Sequence, residues 1–422
     1  MRSTVVIIGA GQAGLAMSRQ LTDAGIDHVV LEAGEVAQSW RSERWDSLRL
    51  LTPNWMTRLP GFRYTGTDPD GFMTAAQTIE FLETYRASFA APVQERTAVE
   101  RVRALTGGGF EVVTSEGSWR CEAVVVATGA SSEARLPPVA ADLGPELDQL
   151  TALQYRRPAQ LAQGEVLVVG ASASGVQIAE ELQHSGRPVT LAVGDHVRVP
   201  RRYRGRDIHW WMDVIGQLDE RYDEVEDLGR ARRLPSLQLV GSLDRRDLDL
   251  NALAVVGVTL VGKLMAVSGC KLQFSGSLPN FAASADLKLN RLLDRIDEHA
   301  AQHSLAEKHE DLEKLEDLEK LTEPTRPAPT RLATIPTELD TERFSTVIWA
   351  TGYRPTFGWL DPAAFDGRGR LQHDGGVAAI PGLYVLGLPF LRRRKSSFID
   401  GVGPDAAFLA AHLVARLGER GR

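Results

Sequence analysis

Residues 4–34 read "TVVIIGAGQAGLAMSRQLTDAGIDHVVLEAG", and the fold turns on how this stretch divides. An apolar run stops at a Gly-x-Gly-x-x-Gly turn (Gly9, Gly11, Gly14), helical apolar spacing follows as far as Gly25, and a second apolar run ends at Glu32. Strand, glycine turn, helix and strand in that order make one β-α-β unit of the dinucleotide-binding kind. Each glycine has its own duty. Gly9 makes the tight turn, Gly11 lets backbone approach a diphosphate, and Gly14 lets the helix pack on the strand. The diphosphate then sits at the positive helix N-terminus, beside Gln12 and Ala13. Glu32, followed by Ala33, is placed to accept hydrogen bonds from an adenosine ribose. That carboxylate favours FAD or NAD over a 2′-phosphorylated nucleotide.

The same pattern returns 161 positions later, Gly170 falling on Gly9 in "EVLVVGASASGVQIAEEL". Without gaps, Ala171, Gly175, Leu182 and Gly186 fall on Ala10, Gly14, Leu21 and Gly25. Two of the positions that differ bear on the ligand. Ser172 replaces the middle glycine, where it crowds a diphosphate or donates its hydroxyl to it; Ser174 follows in the same turn. Val193 stands in the place of Glu32, which removes the group that would repel a 2′-phosphate. Arg198, Arg201, Arg202, Arg204 and Arg206 follow in "VRVPRRYRGRD". They are read either as a cationic site for that phosphate or as a solvated basic loop.

Composition narrows the classes. With 422 residues, 43% hydrophobic and 24% charged, the chain buries a large core in two or three domains. A net charge of -7 gives no reason to expect nucleic acid or an anionic membrane as a partner. No run reaches membrane-spanning length, and the four apolar residues before Gly9 are too few for a signal-peptide core, so a cytoplasmic location is expected. Cys121 and Cys270 are the only cysteines, with no C-x-x-C pair to form a redox centre, and no metal site is expected.

The duplication extends past the turns. "FEVVTSEGSWRCEAVVVATGA" and, in the second half, "VTLVGKLMAVSGCKLQFSG" with "FSTVIWATGYRP" each give a hairpin-like pair and a buried strand. These strands end in Ala127-Thr128-Gly129 and Ala350-Thr351-Gly352. A helical insertion at about 277–335 separates the later parts, including "EDLEKLEDLEKL", whose Leu312, Leu315, Leu318 and Leu321 read as a surface cap. The expected fold is α/β, with two Rossmann-like domains for FAD and NAD(P), the second inserted in the first. The expected limits are 1–160 and 344–422 for the FAD domain and 161–343 for the NAD(P) domain. A final apolar helix opens near Asp405, where its positive N-terminus would stabilise negative charge on a reduced flavin; an ordinary docked helix is the alternative.

The paired fingerprints, the two Ala-Thr-Gly strand ends and "SWRSERWDSLRLLTPNWMTRLPG" resemble flavin-containing monooxygenases over nearly the whole chain. The resemblance implies FAD on the first turn and NADPH or NADH on the second. It implies hydride transfer to the flavin, capture of dioxygen as a C4a-hydroperoxide, and delivery of one oxygen atom to a small organic substrate. Trp40, Arg41, Trp45, Asp46 and Leu48 match the stretch that lines the flavin in relatives, and Asn54 lies near the family's active-site asparagine. A turn-forming role for Asn54 after Pro53 is the alternative. Two departures stand out. Thr151 occupies the position of the family's signature histidine, and Gly194 that of its 2′-phosphate-binding residue. An NAD(P)H oxidase releasing hydrogen peroxide and a non-enzymatic redox sensor remain as alternatives; a homodimer is compatible with each. "DIHWWMDVIG" offers Trp210, Trp211 and Met212 either as pocket wall or as core.

Overall fold

In the computed structural model, which describes residues 1–302 and 323–420, both glycine turns sit at the carboxyl ends of parallel strands. The first sheet has seven strands. Its order is His373–Asp374, Val377–Ala378, Leu383–Val385, Ala123–Val126, Val5–Ile8, His28–Leu31 and Val93–Gln94. All pairings from Leu383–Val385 onward are parallel, and the two outer strands run antiparallel. Val5–Ile8, His28–Leu31 and Ala123–Val126 are buried at every position, which is why they read as unbroken apolar runs and not as alternating ones. Helix Gln12–Asp23 and the C-terminal helix Val402–Arg420 share one core on this sheet, through Leu15, Leu21, Val402, Leu409 and Leu413.

The second sheet has five strands, all parallel. Asp148–Thr151, Phe344–Trp349, Glu165–Val169, Val189–Ala192 and Thr259–Val261 lie side by side, with helix Ala173–His184 following the second turn. Two expected boundaries therefore need correction. Asp148–Thr151 lies before the limit at 160/161 and Phe344–Trp349 after the limit at 343/344, yet both pair within the second sheet. Hydrogen-bond partners, not position in the chain, decide membership.

The insertion has an exact address. In the first unit, strands Val99–Ala104, Phe110–Thr114 and Gly117–Cys121 form an antiparallel meander closed by the short turn Ser115-Glu116. The second unit repeats it as Leu264–Ser268, Lys271–Phe274 and Glu338–Asp340, with the whole insertion in place of that turn. Helix Leu278–Gln302 buries Ala282, Ala285, Leu289, Leu292, Leu293 and Ile296. Leu289, Leu292, Leu293 and Ile296 pack with Tyr203, Ile208, Trp211 and Met212. Trp211 and Met212 are thus core, Trp210 is half-buried at their edge, and the helix is a structural wall of the second unit. The leucine row Leu312 to Leu321 lies outside the described residues. Among the described residues no helix is long and apolar enough to cross a membrane.

Candidate dinucleotide sites and their neighbours

At the first turn, Gly9 has φ +103°, and a Cβ there would stand 2.7 Å from the Ala127 carbonyl oxygen. A Cβ on Gly14 would run into the Gly9 carbonyl oxygen. Those two glycines are demanded by the protein itself. Gly11 differs: its φ of -82° and ψ of -170° suit any residue, and a Cβ there meets nothing within 4 Å. The open ground in front of Gly11 is what a diphosphate would use. Gly129, at the neighbouring strand end, has φ +78° and open space as well, and the buried Thr128 hydroxyl has no hydrogen-bond partner.

Glu32 is buried and held by two backbone amides. Its Oε2 accepts from Ala10 N at 2.7 Å and its Oε1 from Gly34 N at 3.0 Å. Each oxygen keeps a lone pair for a ribose hydroxyl. Ala37, at φ +62°, starts the short helix Gln38–Ser42 that carries Trp40 and Arg41. Arg41 is committed to the Val36 carbonyl and to Glu83. Trp45 and Leu48 leave the first core and pack with Tyr155, Val166 and Val168 of the second, so this stretch joins the two units.

The second turn copies the first atom for atom where the protein dictates it. Gly170 has φ +109° against the Ala350 carbonyl, and Gly175 closes on the Gly170 carbonyl. Ser172 has φ -84° and ψ -173°, within a few degrees of Gly11, and its hydroxyl makes no capping bond to the helix. Serine is therefore no strain on this backbone. Ser174 meets the Tyr353 hydroxyl at 3.3 Å, and Gly352 faces open space at φ +89°. Thr351 donates to the Arg135 carbonyl. Gln238, from a segment the motifs do not mark, donates to Ala171 O at 2.7 Å and leaves its Oε1 buried without a partner.

The arginine loop is a correction. Arg198 is buried and ion-paired with Asp249 at 2.6 Å and Asp286 at 2.5 Å. Arg201 is fully buried, bonds Leu51 O and Asp207, and stacks over Phe72. Arg204 pairs with Asp297 at 2.7 Å. Asp286 and Asp297 lie on the insertion helix, so Arg198 and Arg204 form the basic half of a seam that fastens the insertion, and they and Arg201 are already held by carboxylates. Arg202 remains exposed, with its guanidinium turned back to Gly205 O. The sequence carries the acidic half too, but separated by about 90 residues and invisible to local reading.

Asn54 heads a 3-10 turn, Asn54–Met56; it is buried and its Nδ2 donates to Asp68 O at 2.9 Å. The turn itself is closed by backbone bonds, Thr57 N donating to Asn54 O at 2.9 Å, while the Asn54 Oδ1 has no partner. Thr151 closes a turn through Gln154 Oε1. Asp405, in the first turn of the C-terminal helix, is fully buried, and neither carboxylate oxygen has a well-formed hydrogen bond. Burial lifts its carboxyl to about 6, against the opposing pull of the Ser396 hydroxyl and the Arg393 guanidinium 3.8 Å away.

Comparison with known proteins agrees with this geometry. Residues 6–211 match the family model described as pyridine nucleotide-disulphide oxidoreductase. The dithiol of that description is missing: Cys121 is buried in a strand, with its thiol pushed up to about 12 by burial, and Cys270 is exposed in a distant turn. A flavin-containing monooxygenase from Stenotrophomonas maltophilia has the same fold, at a TM-score of 0.66 with 22% identity over 98% of both chains. The indole-3-pyruvate monooxygenase YUCCA6 of Arabidopsis thaliana is 31% identical over 214 residues, 47% of this chain and 50% of its own. A CzcO-like oxidoreductase of Geobacillus kaustophilus is 30% identical over 408 residues, 96% of each chain. Identity at that level over 96% of each chain, with two glycine turns of matched geometry, makes this chain a member of the CzcO-like oxidoreductases.

Proposed function

We propose that the chain is an FAD-dependent, NADPH-driven monooxygenase that places one oxygen atom on a small organic substrate. The observation that carries this is the contrast between two turns of the same backbone. One has glycine, open ground and a ribose-accepting carboxylate; the other has serine and no carboxylate. Two different nucleotides fit that contrast better than two copies of one. Open space at Gly11 and Gly129, the unpartnered Thr128 hydroxyl and the free lone pairs of Glu32 fit a bound FAD.

Bound FAD supplies the redox chemistry: hydride is taken from NADPH, and dioxygen with a proton gives one oxygen atom to substrate and one to water. The chain binds, orients and excludes solvent. Amides at the start of helix Gln12–Asp23, which has no acid in its first turn, hold the diphosphate, and Glu32 holds the ribose. Helix Ala173–His184, equally free of acids in its first turn, holds the second nucleotide. Asp405, its buried carboxyl lifted to about 6, is poised to take up or release a proton.

Purified protein is expected to be yellow and to release FAD on denaturation. Under anaerobic conditions NADPH should bleach the flavin, and labelled dioxygen should then leave one atom in a soft nitrogen or sulfur substrate. Stoichiometric hydrogen peroxide whatever substrate is added would make the enzyme an oxidase instead. Colourless protein that cannot be reconstituted with FAD would end the proposal.

A further inference from the structure

With Arg198 and Arg204 tied to the insertion helix and Arg201 buried against Asp207, a preference for a 2′-phosphate in the second unit calls for another cation, and strand register locates one. Strands Val189–Ala192 and Thr259–Val261 pair Ala192 with Val261, and Val193 N donates to Val261 O at 3.0 Å. Two residues on, at the carboxyl edge of the sheet, Gly194 therefore stands beside Lys263. A Cβ on Gly194 would meet the Lys263 stem at 4.0 Å. The base of this lysine is fixed. Gly262 has no room for a Cβ against Ser275 O, and Ser275 N donates to Lys263 O at 2.9 Å.

The first unit supplies the control. There Leu31 pairs with Gln94 as Ala192 pairs with Val261, so Arg96 is the counterpart of Lys263. Arg96 is neutralised by Glu35 at 2.7 Å, in a unit whose Glu32 suits an unphosphorylated ribose. In the second unit the counterpart of Glu35 is His196, buried and turned to Gly194 O, and the counterpart of Glu32 is Val193. The neighbouring acid Asp195 is paired with Lys288 at 3.1 Å. Lys263 itself is exposed and has no carboxylate partner among the described residues.

We infer that Lys263 is the residue that selects a 2′-phosphorylated nicotinamide nucleotide, its ammonium supplying the charge that Gly194 does not. The inference rests on the reading that the second turn binds that nucleotide.

Isothermal titration of the FAD-loaded protein with NADP⁺ and with NAD⁺ tests it. The wild type should bind NADP⁺ the more tightly. Lys263→Met should weaken NADP⁺ about tenfold, the low end for a hydrogen bond to a charged group, and leave NAD⁺ within about twofold. Lys263→Arg should retain the preference and Lys263→Glu should reverse it, whereas Arg202→Ala should leave the ratio unchanged. Equal loss of both nucleotides in Lys263→Met, no loss of either, or a wild type without preference overturns the inference alone. Failure of the FAD-loaded wild type to bind either nucleotide overturns the underlying reading, and this inference with it.

Discussion

Two glycines of one turn should respond to the same substitution in opposite ways. Gly11→Ala adds a methyl group to a backbone of φ -82° and ψ -170°, with no atom within 4 Å of the new carbon. The apoprotein should therefore fold normally, its stability changed by less than about 1 kcal/mol, since lost chain entropy in the unfolded state offsets the weaker helix cap. Gly14→Ala adds the same group against the Gly9 carbonyl oxygen, with Ile7 3.5 Å away, so strand and helix must separate. A loss of about 3 kcal/mol, the upper end of the usual cost of overpacking, is expected. FAD binding reverses the ranking of interest. If a diphosphate occupies the ground before Gly11, Gly11→Ala should raise the FAD dissociation constant at least tenfold. It should also forfeit much of the roughly 2.7 kcal/mol that a ligand at a hundred times its dissociation constant confers. Urea unfolding of apoproteins and fluorescence titration with FAD measure the two quantities separately. Normal flavin loading by Gly11→Ala would refute the placement of the diphosphate, and collapse of its apoprotein would refute the open ground.

Ser172→Gly should leave flavin content unchanged and alter nicotinamide nucleotide affinity, downward if the hydroxyl bonds a phosphate and upward if it obstructs; flavin loss would reverse the assignment of the turns. Asp405 is an acid whose native carboxyl is lifted to about 6, so the folded apoprotein binds more protons there than the unfolded chain, and its stability falls as pH rises from about 4 to 6. The fall amounts to about 3 kcal/mol, and Asp405→Asn should abolish it, as the difference between the two apoprotein stability curves against pH will show. Arg198→Ala leaves Asp249 and Asp286 without their shared cation, and should cost about 3–5 kcal/mol in urea unfolding while sparing the NADP⁺ to NAD⁺ ratio.

Both glycine turns, their strands and their helices are legible in the sequence because each depends on residues within about thirty positions. Buried parallel strands are continuous apolar runs, and the turn leaves glycines wherever a Cβ has no room. The domain limits are not legible in the same way, because Phe344–Trp349 pairs with strands nearly two hundred residues earlier. The arginine loop misleads for a related reason: its charge is visible, but its partners Asp249, Asp286 and Asp297 are distant in sequence. Lys263 carries no motif at all. Only the strand register that sets it beside Gly194 gives it a meaning.

Replacing the turn Ser115-Glu116 by an insertion of roughly sixty residues has a kinetic side. Closing a loop of that length instead of two residues costs about 3 kcal/mol more in chain entropy, before any contact within the insertion repays it. Strand Phe344–Trp349, which lies between Asp148–Thr151 and Glu165–Val169, is synthesised only after that loop. A nascent chain thus exposes the flanks of two parallel strands until Phe344–Trp349 has emerged. The second unit, though enclosed by the first in sequence, cannot mature ahead of it by much.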